Sequence, residues 1–391
     1  MKILYVGAGE GGTVIVDKLC KIFENKENYS FKTINSSQND SLKALNIPMS
    51  DRHLLKNVSG LAKKMEKVAE LIAEQGQEIL AKVFLPAIEQ EVTHIVLVAT
   101  TGGGTGCGMV TQLARILKKN LEDIKVRVIF VSPFKTEDAR SFRNTSIAVN
   151  AMEELGIPVR IIGNGNYERY EGRTKQDIHD SINKYIAETE YLMLEADTFK
   201  PLGINTDKGE IDTVLFEPGY QFVARVKLSV KDKEKNTKEI IHKLNSSLDL
   251  GFNKDGFMYM LTILQATPEV ASKIDLNEIK ETLGMPKESS FETHIAPTMD
   301  NYLTIILSGC FSYPQQLSEF YNAAIKHHET IEKIEKKTLN FDFTVFKKIE
   351  KEESEIKNSV FKFLEDINEV KETKKEDRKV KRNLDISNWK L

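Results

Sequence analysis

The segment Thr93–Gly108 (THIVLVATTGGGTGCG) constrains the fold of this chain more than any other stretch of its sequence. Ile95–Ala99 is an unbroken apolar run, which is typical of a strand buried on both faces of a parallel sheet. Gly102–Gly108 holds five glycines in seven residues, and apolar residues then recur at helical spacing from Val110 to Leu117. The order of strand, glycine loop and helix predicts an α/β fold with a parallel sheet.

The glycine loop Gly102–Gly108 is suited to binding an anion. Without a Cβ, consecutive glycines allow several backbone N–H groups to point into one concavity, and the helix that follows adds the positive end of its dipole. Thr101 and Thr105 add hydroxyl donors. No lysine follows as in the GxxxxGK[ST] motif, so we expect a phosphate site that relies mainly on the backbone.

Length, charge and cysteine usage narrow the class of protein. With 391 residues, the chain is long enough for two or three domains. A net charge of −3 disfavours a protein that binds polyanions over its whole surface. Cys20, Cys107 and Cys310 are too far apart for a zinc motif or a disulfide framework. The sequence shows no signal-peptide pattern and no apolar run of about 20 residues, so we expect a cytoplasmic protein without a membrane span.

The amino terminus contains a second glycine turn. Ile3–Val6 reads as a short strand, and Gly7–Gly12 after it fits the GxGxxG pattern of dinucleotide-binding proteins. An NAD site expects an acidic residue after the next strand, where this chain has Asn35 followed by two serines. An NAD-dependent dehydrogenase is therefore the less favoured interpretation.

Four motifs in order resemble the tubulin/FtsZ superfamily across about residues 1–312. Gly102–Gly108 (GGGTGCG) is similar to its phosphate-loop signature GGGTGSG, with Cys107 in the serine position. The glycine turn Gly7–Gly12, the loop Pro133–Glu137 and the loop Asn205–Glu210 match its other motifs. The resemblance implies a Rossmann-like GTPase domain with a parallel sheet, a central connecting helix and a smaller α/β activation domain.

The resemblance also implies GTP or GDP as the bound nucleotide, with Mg²⁺ to neutralise phosphate charge. It assigns nucleotide contacts to both glycine loops and to later loops: Gly9, Glu10, Gly11, Gly12, Asn35, Gly60, Thr101, Gly102, Gly103, Gly104, Thr105, Gly106, Cys107, Gly108, Pro133, Glu137, Arg140, Asn164 and Asn183. Gly60, together with Ser59, is the candidate for a γ-phosphate loop, and His179 could stack on the base. The family's arginine four residues after the glutamate is Ser141 here, which leaves Arg140 and Arg143 as candidates.

Hydrolysis is expected to need a second copy of the chain. In the superfamily an acidic loop of one subunit completes the nucleotide site of the next, and Asn205, Asp207 and Glu210 match that loop. The resemblance therefore implies that these three residues orient the attacking water. It also implies self-assembly into longitudinal filaments.

The expected organisation has five parts: a GTP-binding domain at 1–173, a central helix at 174–200, an activation domain at 201–312, a helical extension at 313–370 and a basic tail at 371–391. We expect a loop over 46–60 and helices over 61–90, 175–197, 233–248 and 270–283. An apolar stripe over 349–370 suggests a long carboxy-terminal helix.

The carboxy-terminal layout resembles the plasmid- or phage-encoded TubZ group. Lys371–Arg382 carries seven bases and three acids, and the sole Trp, Trp389, lies near the end. This layout implies a bacterial or phage-infected cell in which filaments move DNA through an adaptor that binds Lys371–Leu391, without direct sequence-specific DNA binding. A division or cell-shape scaffold is the alternative.

Overall fold

The computed structural model describes residues 1–58, 60–61, 63–65, 67–164, 174–228, 237–238, 240–243, 249, 256–297, 300–312 and 314–338. Its strands are β1 (Ile3–Ala8), β2 (Tyr29–Asn35), β3 (Arg52–Leu54), β4 (His94–Thr100), β5 (Lys125–Ser132), β6 (Val159–Gly163), β7 (Tyr220–Lys227), β8 (Tyr259–Gln265), β9 (Ser289–Ile295) and β10 (Tyr302–Cys310).

The α-helices that the structure describes cover the sheet on both faces. They are α1 (Gly9–Ile22), α2 (Gln38–Ser41), α3 (Lys67–Ile79), α4 (Leu85–Glu89), α5 (Thr105–Asn120), α6 (Ala139–Glu154), α7 (Lys175–Leu194), α8 (Lys208–Phe216), α9 (Pro268–Ala271), α10 (Leu276–Leu283) and α11 (Gln315–Thr338). None of these helices is both long and apolar enough to cross a membrane.

One sheet runs through the described part of the molecule, in the order β3-β2-β1-β4-β5-β6-β7-β10-β8-β9. The strands from β3 to β6 are all parallel, which confirms the predicted α/β fold with a parallel sheet. β6 joins β7 through only two residue pairs, Val159 with Tyr220 and Arg160 with Gln221. Beyond β7, the β7–β10 and β10–β8 pairs are antiparallel and the β8–β9 pair is parallel, so the all-parallel part of the sheet and the mixed part meet at this short junction.

Two apolar clusters, one on each face of the sheet, form the core. Alternate residues of β4 enter different clusters: Ile95 and Leu97 pack on one face, and Val96 and Val98 on the other. Because helices cover both faces, β4 is buried over its whole length up to Thr100. This is the physical reason for its unbroken apolar sequence.

A cluster of buried charges ties α7 to the sheet. Glu190 on α7 accepts hydrogen bonds from Arg127 on β5 at 2.7 and 2.9 Å and from Arg160 on β6 at 3.0 Å. The Tyr5 hydroxyl on β1 also donates to Glu190, and Arg160 pairs with Asp249 at 3.2 Å. Burial by itself raises the pKa of Glu190, but the neighbouring guanidinium groups hold it below its usual value. Glu190 therefore remains ionised between Arg127 and Arg160 although all three side chains are fully buried.

The structure corrects several sequence-based element boundaries. The expected helix over 61–90 is α3, a π-helical turn (Leu80–Phe84) and α4, and Pro86 lies in the first turn of α4, where it blocks no intrahelical hydrogen bond. The expected loop over 46–60 contains β3, and the expected helix over 270–283 is split because Asp275 caps a new helix.

The strand β9 was not predicted because most of its residues are only partly buried. The expected helix over 233–248 and the stripe over 349–370 lie mostly or wholly outside the described residues.

We predict that Glu190→Gln lowers the free energy of unfolding by about 3–5 kcal/mol, because it leaves the buried guanidinium of Arg127 without its carboxylate and Arg160 with Asp249 alone. The measurement is chemical denaturation followed by circular dichroism. Glu188→Gln is the matched control on the same helix, because Glu188 pairs with Arg225 while 39% exposed and should cost less than about 1 kcal/mol. Equal losses in the two variants would contradict the role assigned to Glu190.

Candidate functional site

A cleft of about 450 Å³ lies at the carboxyl ends of the parallel strands β1, β4, β5 and β6. Ligands of open α/β sheets bind at this edge. The cleft brings together residues from both glycine loops and from three later segments: Gly9, Glu10, Gly11, Gly102, Gly103, Gly104, Thr105, Gly106, Pro133, Glu137, Asn164, His179 and Asn183. The sequence motifs named all of these residues.

The two long helices that open into the cleft, α1 and α5, have no side-chain cap at their amino termini. In contrast, Asp138, Thr174, Asp207 and Asp275 cap the amino termini of α6, α7, α8 and α10. The first-turn N–H groups of a helix have no intrahelical acceptor and need a partner. Two uncapped helices converging on one cleft make a site for an anion such as a phosphate.

The two glycine loops touch one another at the base of the cleft. Gly9 has φ +68°, and a Cβ at this position would lie 2.9 Å from the backbone nitrogen of Gly106. A larger residue at position 9 would therefore be both strained and in collision with the second loop. The hydroxyls of Ser36 and Thr105 are 2.8 Å apart and link the loops to the end of β2.

Glu137 forms one wall of the cleft. Its carboxylate accepts hydrogen bonds from the Phe134 N–H at 3.2 Å and from the Ser141 hydroxyl at 3.0 Å. It also contacts the ammonium group of Lys63 at 3.3 Å. The loop after β5 therefore presents a fixed carboxylate, which can accept hydrogen bonds from a ligand's hydroxyl groups.

Another part of the cleft lining presents amide groups beside an aromatic stack. Asn164 follows β6 and Asn183 lies on α7, and both are largely buried. The His179 ring stacks on Phe134 with centroids 5.2 Å apart and planes 21° apart. Burial lowers the pKa of His179 below its usual value, so the imidazole is neutral at pH 7. Amides and a neutral ring can recognise the edge and face of a planar base.

Two lysines complete the cleft and were missed by the motif analysis. Lys43 forms an ion pair with Glu10, and the Lys63 ammonium lies 2.7 Å from Asp138. The carboxylate of Asp40 lines the same cleft. Neither lysine belongs to a motif, and only the folding of the chain brings them beside the glycine loops. No sequence signal would have found them.

Several predicted nucleotide contacts do not line the cleft: Gly12, Asn35, Gly60, Thr101, Cys107, Gly108 and Arg140. A Cβ at Gly12 would lie 2.3 Å from the Val98 carbonyl oxygen, so this glycine serves close packing of α1 on β4. Gly108 likewise allows close packing, in this case of α5 on α3, since a Cβ at this position would lie 2.6 Å from the Val68 side chain. Gly60 is exposed, and Ser59 lies outside the described residues.

The side chains of Asn35, Thr101 and Cys107 are fully buried. The Asn35 amide donates to the Thr13 hydroxyl on α1 at 2.8 Å, and the Thr101 hydroxyl accepts a hydrogen bond from Thr145. Cys107 Sγ lies 3.3 Å from the Asn144 carbonyl oxygen, on the core side of α5. Successive helical side chains point in different directions. As a result, Thr105 faces the cleft while Cys107 faces α6.

The acidic loop Asn205–Glu210 lies at the opposite edge of the sheet. α8 follows this loop, and Asp212 on α8 pairs with His94 and Lys125, the first residues of β4 and β5. The cleft lies beyond the last residues of the same strands, about 20 Å away for a seven-residue strand. Within one molecule, Asn205, Asp207 and Glu210 do not reach the cleft.

Asp207 and Glu210 also form a capping box at the start of α8. The Asp207 carboxylate accepts from the N–H groups of Gly209 and Glu210, and Glu210 accepts from the Asp207 N–H at 3.0 Å. This local pairing explains the D-x-x-E spacing by itself. Asn205 and Asp207 are nevertheless exposed to solvent, so their polar groups can reach another molecule.

No cluster of three or more His, Cys, Asp or Glu residues arranged to hold a metal ion is found in the described part of the chain. The carboxylates of Glu10, Asp40 and Glu137 line the cleft along with two lysines. A phosphate-bound cation would therefore find carboxylates nearby. It would depend on the ligand for much of its coordination.

The amino-acid sequence is similar to those of known proteins. The GTPase domain of the tubulin/FtsZ family matches residues 2–166. The tubulin-like protein CetZ of Thermococcus kodakarensis is 25% identical over 290 residues, covering 72% of this chain and 74% of that protein. The family match spans Gly7–Gly12, so the alternative of an NAD-dependent dehydrogenase is not supported.

Solved structures of two related groups share the fold. TubZ of Clostridium botulinum phage c-st, with its carboxy-terminal tail truncated, has a TM-score of 0.66 at 18% identity, over 84% of this chain and 98% of that one. CetZ2 from Haloferax volcanii, a GTPγS-bound protofilament, has a TM-score of 0.69 at 18% identity, over 85% and 100%. Likeness to both groups establishes the fold and does not separate one group from the other.

We predict that Gly104→Ala lowers the free energy of unfolding by about 1–3 kcal/mol, the range for overpacking. Its Cβ would lie 2.7 Å from the Lys64 backbone nitrogen. Gly103→Ala is the matched control, since its Cβ would meet nothing within 4 Å, and its effect should stay within about 0.5 kcal/mol. Thermal or chemical denaturation measures both, and similar stabilities would show that residues 63–64 do not pack on the glycine loop.

Proposed function

Because this chain belongs to the tubulin/FtsZ family and carries that family's GTPase domain, we propose that it assembles head to tail into filaments and hydrolyses GTP where two subunits meet. GTP hydrolysis is the activity of the family. The filament, the inter-subunit site and the roles of individual residues are our proposal.

The separation of the cleft from the loop Asn205–Glu210 is the observation that carries this proposal. The cleft opens at the carboxyl edge of the parallel strands and α8 lies at their amino edge. When two copies stack along this direction, the amino edge of one meets the carboxyl edge of the other. Asp207 of one subunit would then lie over the phosphates bound by its neighbour.

The acids already in the cleft are poorly placed to activate water. Glu10 is ion-paired with Lys43, and Glu137 accepts hydrogen bonds from Phe134 and Ser141. The exposed side chain of Asp207 and the partly exposed one of Glu210 have no such partner beyond their own helix turn. They are the better candidates to orient water. CetZ2 from Haloferax volcanii, which shares this fold, is a GTPγS-bound protofilament, and this supports assembly of the present chain into a filament.

Each wall of the cleft suits one part of GTP. The amino termini of α1 and α5 would bind the phosphates through backbone N–H groups. Glu137 would accept hydrogen bonds from the ribose hydroxyls, and Asn164 and Asn183 would contact the guanine edge with His179 stacked on its face. Most of the catalytic gain would come from positioning, since phosphoryl transfer leaves little covalent work to the protein.

Mg²⁺ fits this cleft as a nucleotide-borne ion. The Glu10 and Asp40 carboxylates line the phosphate side, and Mg²⁺ is usually held by one or two carboxylates together with phosphates and water. Burial and, to a smaller extent, the neighbouring Glu10 raise the pKa of Asp40 above its usual value, and the charge of Glu10 would also attract a cation. The ion would neutralise the β and γ oxygens during hydrolysis.

We predict that Glu210→Gln and Asp207→Asn bind GTP normally, form filaments that persist, and lose GTP hydrolysis by about 10²-fold or more, the range for removing a general base. Glutamine and asparagine keep the capping oxygens of α8, so folding is preserved and only the charge is lost. Phosphate release and light scattering at increasing protein concentration measure turnover and assembly.

Mixing two inactive variants tests whether the site is shared between subunits. Gly103→Asp adds a negative charge to the phosphate loop at a position with open space, so it should abolish nucleotide binding without unfolding the chain. Mixed with Glu210→Gln, it contributes an intact acidic loop to a neighbour's intact cleft, and turnover should return. If the mixture stays inactive while wild type turns over equally fast when dilute and monomeric, the active site lies within one molecule.

We further propose that the filaments move plasmid or phage DNA through an adaptor that grips the basic tail. The support is the net positive charge of Lys371–Arg382 and the structural likeness to phage TubZ; the tail itself lies outside the described residues. A division or cell-shape scaffold is the competing role, and the match to CetZ keeps it open.

We predict that deleting 371–391 leaves GTP hydrolysis unchanged and abolishes recovery of DNA with filaments sedimented from a host-cell lysate, because the basic handle is lost. Deleting 383–391 alone is the matched control, since it removes Trp389 and keeps the basic run. Undiminished DNA recovery without 371–391 would favour the scaffold role.

A further inference from the structure

Among the described residues that line the cleft there is no arginine, although the resemblance leads one to expect one. The family's position four residues after Glu137 holds Ser141, which is fully buried. The remaining candidates, Arg140 and Arg143, are exposed on α6, and neither lines the cleft. The loop after β5 therefore supplies no cation to a bound nucleotide.

The ammonium group of Lys63 occupies the place beside Ser141. It lies 2.8 Å from the Ser141 hydroxyl and 3.3 Å from the Glu137 carboxylate. Lys63 comes from the segment before α3, far from Ser141 in the sequence, and lines the cleft. Lys63 thus places a cation where the resemblance leads one to expect an arginine.

The backbone of Lys63 is fixed against the glycine loop. Asn144 on α6 donates to the Lys63 carbonyl at 3.0 Å and to the Gly103 carbonyl at 3.4 Å. A Cβ on Gly104 would lie 2.8 Å from the Lys63 carbonyl carbon. Lys63 also has φ +62°, a conformation rarely adopted by a residue with a Cβ. The chain holds this lysine over the phosphate loop despite the backbone strain.

The present contacts of Lys63 can be exchanged. Its side chain is 38% exposed, and its ammonium lies 2.7 Å from Asp138, which already caps α6. Although burial lowers the pKa of Lys63, its hydrogen bond to Asp138 and the charge of Glu137 raise it above the usual value, so the group stays protonated. A phosphate offers a stronger charge than a partly exposed carboxylate, and the glycine loop is within reach of a side-chain rotation.

We propose that Lys63 is the nucleotide-sensing cation of this chain: on binding, its ammonium leaves Glu137 for a phosphate oxygen over Gly102–Gly104, and Glu137 becomes free to accept the ribose hydroxyls. Without nucleotide, Lys63 is paired with Glu137 in the wall of the cleft. With nucleotide, Lys63 is a ligand of the phosphate. This assignment rests on the proposed function, in which the cleft binds GTP. It names the specific residue that couples the phosphate and ribose subsites.

The test is titration calorimetry of the full chain with GTPγS, GDP and guanosine. Lys63→Gln should weaken binding of GTPγS and GDP at least tenfold and leave guanosine binding unchanged or tighter, because Glu137 is freed. Lys63→Arg should return nucleotide affinity to within threefold of wild type. Lys67→Gln is the control, since it makes the same charge change at an exposed position four residues along the chain.

Two results would overturn the assignment while the proposed function stands. One is nucleotide affinity in Lys63→Gln equal to that of Lys67→Gln. The other is a loss of guanosine binding as large as the loss of GTPγS binding, which would mark Lys63 as a structural contact only. Wild-type protein that binds no GTPγS would overturn the proposed function and this assignment together.

Discussion

The buried contact between Glu190 and the two arginines Arg127 and Arg160 is the interaction on which the arrangement of the molecule depends. It fixes α7 across the centre of the sheet, where three ionised side chains are removed from water. Such a cluster tolerates little displacement, since each charge needs its partner. α7 is therefore held in one position. His179 and Asn183, near its start, lie at the cleft, and the loop to α8, beyond its end, lies at the opposite edge of the sheet.

This arrangement separates the chemistry into two incomplete halves. One edge of the sheet is suited to binding an anion through uncapped helix termini, and the other presents the acids of a capping box, Asp207 exposed and Glu210 partly exposed. The length of the parallel strands keeps them apart within one molecule. In the proposed filament, stacking of one copy on the next would bring them together, so that hydrolysis would depend on assembly.

The electrostatics of the cleft also differ from those of a lysine-rich phosphate site. Among the described residues, three carboxylates and two lysines line it, so much of the attraction for a phosphate would come from backbone dipoles. Both lysines are paired with carboxylates in the structure described here. Nucleotide and Mg²⁺ would therefore replace internal ion pairs, and Lys63 and Glu137 would change partners together.

Sequence alone determined the elements that depend on local patterns: the buried strand β4, the glycine loops that need close approach, and the order of motifs that identifies the family. It also named most of the cleft, because those residues follow directly on strands whose ends share one edge. Tertiary structure decided the rest. It directed the side chains of Cys107 and Asn35 into the core, made Asp207 and Glu210 the cap of a helix, and brought Lys43 and Lys63 beside the glycine loops. These outcomes depend on which way a side chain points and which distant segment packs beside it, and neither is encoded in a local pattern of residues.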